Sequence, residues 1–235
     1  MKRRRFFTFG ASSIAGVALG ACDSFGPNRA SSLLEYAERK NEQLERWLFS
    51  SGSRNRVDAA ARLSGPAFPR YYVSKSIPMW NEAERRVWRL EVGGAVKSPL
   101  SLTLDDLMKF RSITQKVDHF CVEGWNARAT WSGVRVSDIA RAAQITGDAQ
   151  YVDFAGFDKG YHESWDMESA MHPQTLLAYG MDGYLLTPAH GAPARVHSPV
   201  KLGYKNTKYL TRVVFMPARN GGYWSDQGYE WYAGT

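Results

Sequence analysis

The chain has 235 residues, 44% of them hydrophobic and 23% charged, enough to bury the core of one sizeable domain. Its 30 basic residues against 23 acidic ones give a formal charge of +7. Four of the basic side chains, Lys2 to Arg5, precede residue 22, and without them 26 basic groups face 23 acidic ones, which removes most of the case for a nucleic-acid binder.

The opening "MKRRRFFTFGASSIAGVALGAC" places a basic patch before a short apolar run, Ala11 to Ala21, too short for a stable bilayer span. That order reads as a secretory signal over residues 1–21. Arg3-Arg4-Arg5-Phe6-Phe7 resembles a twin-arginine signal, although a plain positive n-region has a similar form. Leu19-Gly20-Ala21-Cys22 resembles a lipoprotein cleavage box with Cys22 as the acylated residue. The expected location is therefore the periplasmic or extracytoplasmic side of the inner membrane, with contact to the membrane only through a lipid anchor.

Residues 22–64 read as a tether and an amphipathic helix. Leu33, Leu34, Ala37, Leu44, Trp47 and Leu48 form one stripe, and Ser32 with Glu35 has the form of a capping box. A packing helix leading into the domain is the expected role. Ser51 to Ile77, rich in Gly, Pro and Ser, reads as coil. Trp88, Leu90 and Val92 alternate with Arg89 and Glu91 before Gly93-Gly94, which predicts a strand and a hairpin. A short helix is expected over 104–110, with Thr103 or Asp105 near its start, then a strand over 113–122. Ser137 is expected to cap a helix ending at Ala143. Further strands are predicted over 151–154, 194–197 and 209–216, a short helix over 167–170, and a hairpin over 176–186 around Asp182-Gly183. Short strands and short helices without regular alternation indicate an α+β fold with mixed and antiparallel sheets, in one domain over residues 65–235.

The chain has no C-x-x-C, G-x-S-x-G, H-E-x-x-H or Walker loop. Its two cysteines are Cys22 and Cys121, so an acylated Cys22 leaves Cys121 without a disulfide partner. The thiol is then expected to be buried or ligated, and a structural core cysteine is the plain alternative. His119 stands two residues earlier, on the same face of a strand, but two ligands alone do not make a zinc site. His190, Arg195, His197, Lys201, Lys205, Lys208 and Arg212 cluster among turn formers. They read either as a basic solvated face or as a site for a phosphate-bearing group. One thiolate with a cationic loop suits a soft metal whose other ligands come from an organic cofactor.

"CVEGW" with "WSGVRVSDI", then "SAMHPQTLLAYGMDGYLLTPAHGAPARV" and "KLGYKNTKYLTRV", together resemble the molybdopterin-binding core of the sulfite oxidase superfamily. The resemblance implies a molybdenum–molybdopterin cofactor, one per chain, with Cys121 as the protein's metal ligand. Trp125 and Arg128 would flank the metal as catalytic residues. Carried over in the same way, the cofactor-binding positions are Tyr71, Tyr72, Val73, Ser74 and Lys75 in "YYVSK", Gly156 or Asp158, His190, Arg195, and Asn206, Thr207 and Lys208.

Substrate charge separates branches of the superfamily, because sulfite is largely a dianion and benefits from clustered arginines. Here Ser74 stands at the early arginine position, and "EGWNAR" after the cysteine leaves only Arg128. "CVEGW" and "SAMHP" are more similar to the bacterial periplasmic branch that reduces protein methionine sulfoxide. The expected activity is therefore oxygen-atom transfer that reduces a sulfoxide, with electrons from a separate partner such as a membrane haem protein or cytochrome. A sulfite dehydrogenase passing electrons to a cytochrome, and a cofactor-free binding protein that keeps the fold, are the alternatives.

Overall fold

The computed structural model describes residues 27–49, 63–64, 68–71, 87–158 and 160–235. Contacts divide the chain between Leu48 and Phe49 into two compact units. Helix α1 (Pro27–Phe49) makes up the described part of the first. It begins five residues before Ser32, so the expected Ser32–Glu35 capping box lies inside the helix rather than at its start. Pro27 explains the earlier start, because its fixed φ suits a first helical turn. Glu42 and Arg46 pair along the helix at 2.7 Å. Among the described residues no helix is long and apolar enough to cross a membrane.

The second unit holds two sheets. In chain order its strands are β1 (Leu63–Ser64), β2 (Leu90–Gly94), β3 (Leu100–Leu102), β4 (Ser112–Phe120), β5 (Asn126–Arg135), β6 (Tyr151–Gly156), β7 (His162–Asp166), β8 (Leu176–Met181), β9 (Tyr184–Leu185), β10 (Arg195–His197) and β11 (Leu210–Met216). One sheet has β5 at its centre, paired with β4, β8 and the short β1, while β8 also pairs β9 and β10. The other runs β3-β2-β11-β6-β7, parallel only between β2 and β11. This is the expected α+β class with mixed sheets. The stretch expected to be coil contains β1, which runs parallel to Ala127 and Arg128 of β5. Two residues carry no periodic signal, so only the partner strand defines that element.

The core forms where side chains of both sheets meet. Leu90, Val92, Phe154, Val213 and Phe215 of one sheet share a cluster with Val134, Leu177, Tyr179 and Val196 of the other. Strand β8 is buried along its whole length, so its six residues read as a continuous apolar run. Gly133 marks the shift in register between β5 and β8, where a Cβ would come within 2.2 Å of the Leu177 carbonyl.

Three short helices close the edges. Helix α2 (Leu104–Lys109) starts in a complete capping box. The Asp106 N–H donates to Thr103 Oγ1 at 2.9 Å, and the Thr103 N–H donates to Asp106 Oδ2 at 3.2 Å. Helix α3 (Val136–Ala142) corrects the expectation for Ser137. Its cap is Arg135, with no side-chain cap bond, and the Val136 N–H donates to the Thr175 carbonyl at 3.1 Å. A tertiary acceptor thus replaces the serine. Helix α4 (Met167–Met171) is capped by Asp166, whose Oδ1 accepts from the Ser169 N–H at 2.8 Å.

Asp166 and Glu163 also anchor the late loop. Lys201 Nζ lies 2.9 Å from Asp166 Oδ2 and Lys205 Nζ 2.7 Å from Glu163 Oε2, with all four side chains buried. Lys201 and Lys205 therefore do not belong to a solvated basic face. The C-terminal segment closes over them. Lys201 also donates to the Tyr232 carbonyl, the Trp224 N–H donates to Glu163 Oε1 at 2.9 Å, and the Leu202 N–H to the Ala233 carbonyl at 2.9 Å. Removing one partner of such a pair strands a charge in the interior. Glu163→Gln is expected to cost roughly 3–5 kcal/mol in urea unfolding. The paired change Glu163→Met with Lys205→Met should cost less than the single one.

Candidate active site

The β4–β5 hairpin brings Cys121 to the site. Nine cross-strand pairs run from Ser112–Val134 to Phe120–Asn126, and the turn beyond them is Cys121 to Trp125. The Cys121 N–H donates to the Trp125 carbonyl at 2.9 Å and the Gly124 N–H to the Cys121 carbonyl at 3.0 Å. Gly124 has φ +83°, a left-handed conformation that favours glycine. Trp125 Nε1 donates to Glu123 Oε2 at 2.9 Å, and its ring stacks on Tyr71 with centroids 5.8 Å apart.

The thiol is half-buried rather than buried, and it lines an open cavity. Its Sγ lies 3.9 Å from Glu123 Oε2. Partial burial, and to a lesser degree the Glu123 carboxylate, raise its pKa above the ordinary thiol value. A cation at the sulfur is what would turn this thiol into a thiolate donor.

The cavity measures about 480 Å³. Phe68, His119, Arg195, Gly203 and Lys208 line it together with Cys121, and Tyr161, Tyr204, Trp224 and Tyr229 add aromatic surface. Arg195 is buried and donates to the carbonyls of His190 and Asn206, each at 3.2 Å, with its guanidinium 5.1 Å from the Trp131 ring centroid. Burial lowers its pKa to about 10. Lys208 Nζ donates to the carbonyls of Tyr71 at 2.6 Å and Ala189 at 2.9 Å. Burial and the Arg195 charge push the Lys208 ammonium well below the ordinary lysine value. Among the described residues neither cation pairs with a carboxylate, so two like charges are held near each other without an anion.

Three histidines surround Arg195, all kept neutral near pH 7. Burial, then the charges of Arg195 and Lys208, lower His119 to about 3. Burial, then Lys208 and Arg195, lower His190 to about 4. Burial pushes His197 well below the ordinary value, and its ring stacks on Trp131 at 4.0 Å. Nδ1 of His119 and of His190, both ring nitrogens of His197, and Thr207 Oγ1 are buried and have no hydrogen-bond partner among the described residues.

The expected residues divide clearly. Tyr71, Cys121, Trp125, Asp158, Arg195, Asn206 and Lys208 line this same cavity. The Asn206 amide is used inside its own loop, donating to the Lys201 and Leu202 carbonyls and accepting from the Ser198 N–H. Gly156 lies behind the wall, where a Cβ would come within 2.9 Å of the Lys208 carbonyl. His190 and Thr207 also stand outside the lining, as does Arg128. Asp118 holds the Arg128 guanidinium through two bonds, at 2.7 and 2.8 Å, which ties much of its charge to that carboxylate. Tyr72, Val73, Ser74, Lys75 and Cys22 lie outside the described residues. Not anticipated were Phe68, Tyr161, Tyr204, Trp224 and Tyr229, since no periodic pattern marks them. His119 does line the same cavity as Cys121.

These features fit a pyranopterin dithiolene carrying phosphate and molybdenum. Arg195 and Lys208 would hold the phosphate-bearing part and Cys121 Sγ the metal, while the unpartnered polar atoms match a ligand rich in donors and acceptors. Comparison with known families agrees: the family model "Oxidoreductase molybdopterin binding domain" matches residues 75–224. The chain belongs to this family. As a member it is a molybdenum-dependent oxidoreductase that binds molybdopterin. Among its relatives is the "Putative protein-methionine-sulfoxide reductase subunit YedZ1" of Azospira oryzae, 35% identical over 99% of this chain and 88% of that one. The protein-methionine-sulfoxide reductase catalytic subunit MsrP of Ralstonia nicotianae is 33% identical over 59% of this chain, which spans 46% of its length. The sulfane dehydrogenase SoxCD of Paracoccus pantotrophus shares the fold, with a TM-score of 0.55, 23% identity, and coverage of 59% of this chain and 40% of that one.

Two outcomes follow from the charges. Lys208→Met relieves the repulsion with Arg195, so the cofactor-free protein should melt no lower than wild type, while molybdenum retained after gel filtration drops about tenfold or more. The depressed folded-state pKa of His197 means that the unfolded chain binds more protons below about pH 6.5. The stability tied to His197 is therefore full above that pH and falls as pH drops. In melting series from pH 7 to pH 5, His197→Phe should lose less stability than wild type.

Proposed function

We propose that this oxidoreductase reduces a sulfoxide, such as methionine sulfoxide in oxidised protein, outside the cytoplasm, with electrons delivered by a separate membrane haem protein or cytochrome. The observation that carries the substrate class is the charge around Cys121. The Glu123 carboxylate stands 3.9 Å from the sulfur, and among the described residues Arg128, the cation that follows the cysteine on the hairpin, is paired with Asp118. A dianion such as sulfite meets repulsion there, whereas a neutral sulfoxide does not. The names of the Azospira and Ralstonia relatives support the same substrate.

A molybdenum centre held at Cys121 would supply two-electron oxygen-atom-transfer chemistry. The balanced change is sulfoxide plus two electrons and two protons to thioether and water. Cys121 contributes a thiolate donor, and Arg195 and Lys208 offset the negative charge of the cofactor. Tyr71 and Trp125, whose rings stack on each other, with Trp224 and Tyr229 from the C-terminal segment, offer aromatic faces that suit a methyl thioether product. The basic patch Lys2 to Arg5 supports export of a folded, cofactor-loaded protein, and Cys22 supports a lipid anchor beside the electron donor.

Purified holoenzyme should turn over methionine sulfoxide with a reduced donor, and Glu123→Lys should raise the KM for a neutral sulfoxide less than it lowers the KM for sulfite. Turnover of sulfite with an electron acceptor, and none of the sulfoxide, overturns the assignment.

A further inference from the structure

His119 is left over once Cys121, Arg195 and Lys208 have their roles. It lines the cavity from the end of β4, two residues before Cys121, which lines the same cavity, and it is 6% exposed. Its Nδ1 is buried and, among the described residues, has no hydrogen-bond partner. Buried imidazole nitrogens are normally satisfied, so an orphan at a ligand cavity calls for a partner that comes with the ligand. The neighbouring imidazole does not serve. His119 and His197 lie 5.5 Å apart with planes at 25°, a stacked pair whose polar edges do not meet.

The ring is also held in place. Phe68 packs against it at 5.5 Å and Trp125 at 6.1 Å. On the remaining side, Gly203 lets the loop approach, since a Cβ there would sit 2.6 Å from His119 Nε2. A histidine fixed by three rings and a glycine, with a nitrogen unsatisfied, is pre-organised for one contact.

We propose that His119 is a further cofactor-holding residue, its imidazole edge forming a hydrogen bond with the organic part of the molybdenum cofactor beside Cys121. The inference rests on the cofactor occupying this cavity. It explains why the strand leading into the metal ligand carries a polar ring at an otherwise core position. It also gives Gly203 a function, as the residue that leaves room for that ring.

The test uses holoenzyme matured with its cofactor, as wild type, His119→Phe and His119→Gln. Molybdenum and pterin per chain are followed over time after dilution, and the one-electron-reduced metal state is examined by pulsed EPR on protein labelled with 15N-histidine. His119→Phe keeps the ring packing but removes both nitrogens, so cofactor loss should be about tenfold faster, with His119→Gln close to wild type. A 15N coupling should appear in wild type and vanish in His119→Phe. Equal retention in His119→Phe and wild type overturns the proposal, as does absence of the 15N coupling in loaded wild type. Equal loss in the Phe and Gln variants also overturns it, since that marks a packing role. Wild-type protein that matures without molybdenum overturns the placement of the cofactor itself, a separate failure that elemental analysis identifies first.

Discussion

The cavity depends on how one loop disposes of its positive charges. Between residues 201 and 208, Lys201 and Lys205 turn inward to Asp166 and Glu163, while Lys208 donates to the Tyr71 and Ala189 carbonyls. Buried pairs of this kind contribute little net stability over apolar packing, but breaking one is costly, so they define a single arrangement of the chain. They join strand β7, the loop and the C-terminal segment, and that junction carries part of the cavity wall. Arg195 and Lys208 can then stay near each other without an anion of their own.

Such an arrangement is costly in the cofactor-free protein and becomes favourable when an anionic ligand arrives. Burial lowers the pKa of both cations, and burial with neighbouring positive charge keeps the three histidines neutral. The site thus concentrates positive charge in two groups and keeps the imidazoles as neutral hydrogen-bonding surfaces. Around Cys121 the balance reverses, with Glu123 at the sulfur and Arg128 bound to Asp118. One cavity therefore presents cations suited to a phosphate-bearing cofactor and, at the thiol, a surface suited to a neutral substrate.

Much of this was legible from residue order. Alternation at Leu90 and Val92, the Asp182-Gly183 hairpin and the short helix beginning near Thr103 are local signals, and each appears in the structure. Where local signals were absent or competed with tertiary partners, the reading missed. Strand β1 exists only through β5, and α3 is satisfied by the Thr175 carbonyl rather than by Ser137. Arg128 carries the same charge in any reading of the chain, and only the register of the β4–β5 hairpin sets the Asp118 carboxylate opposite it as its partner.

The sequence by itself determined the family, through separated motifs around Cys121, Gly191-Ala192-Pro193 and Lys208, because those residues carry chemistry that survives without knowledge of their neighbours. It also determined the α+β class, since strand and helix periodicities are local properties of the chain. Only the tertiary structure decided which cations are spent in the interior and which face the cavity. It also decided that the thiol is half-open rather than buried, and that aromatic residues from the irregular C-terminal segment complete the wall. Those outcomes depend on which groups lie within a few ångströms across the fold, and no spacing along a single chain encodes that distance.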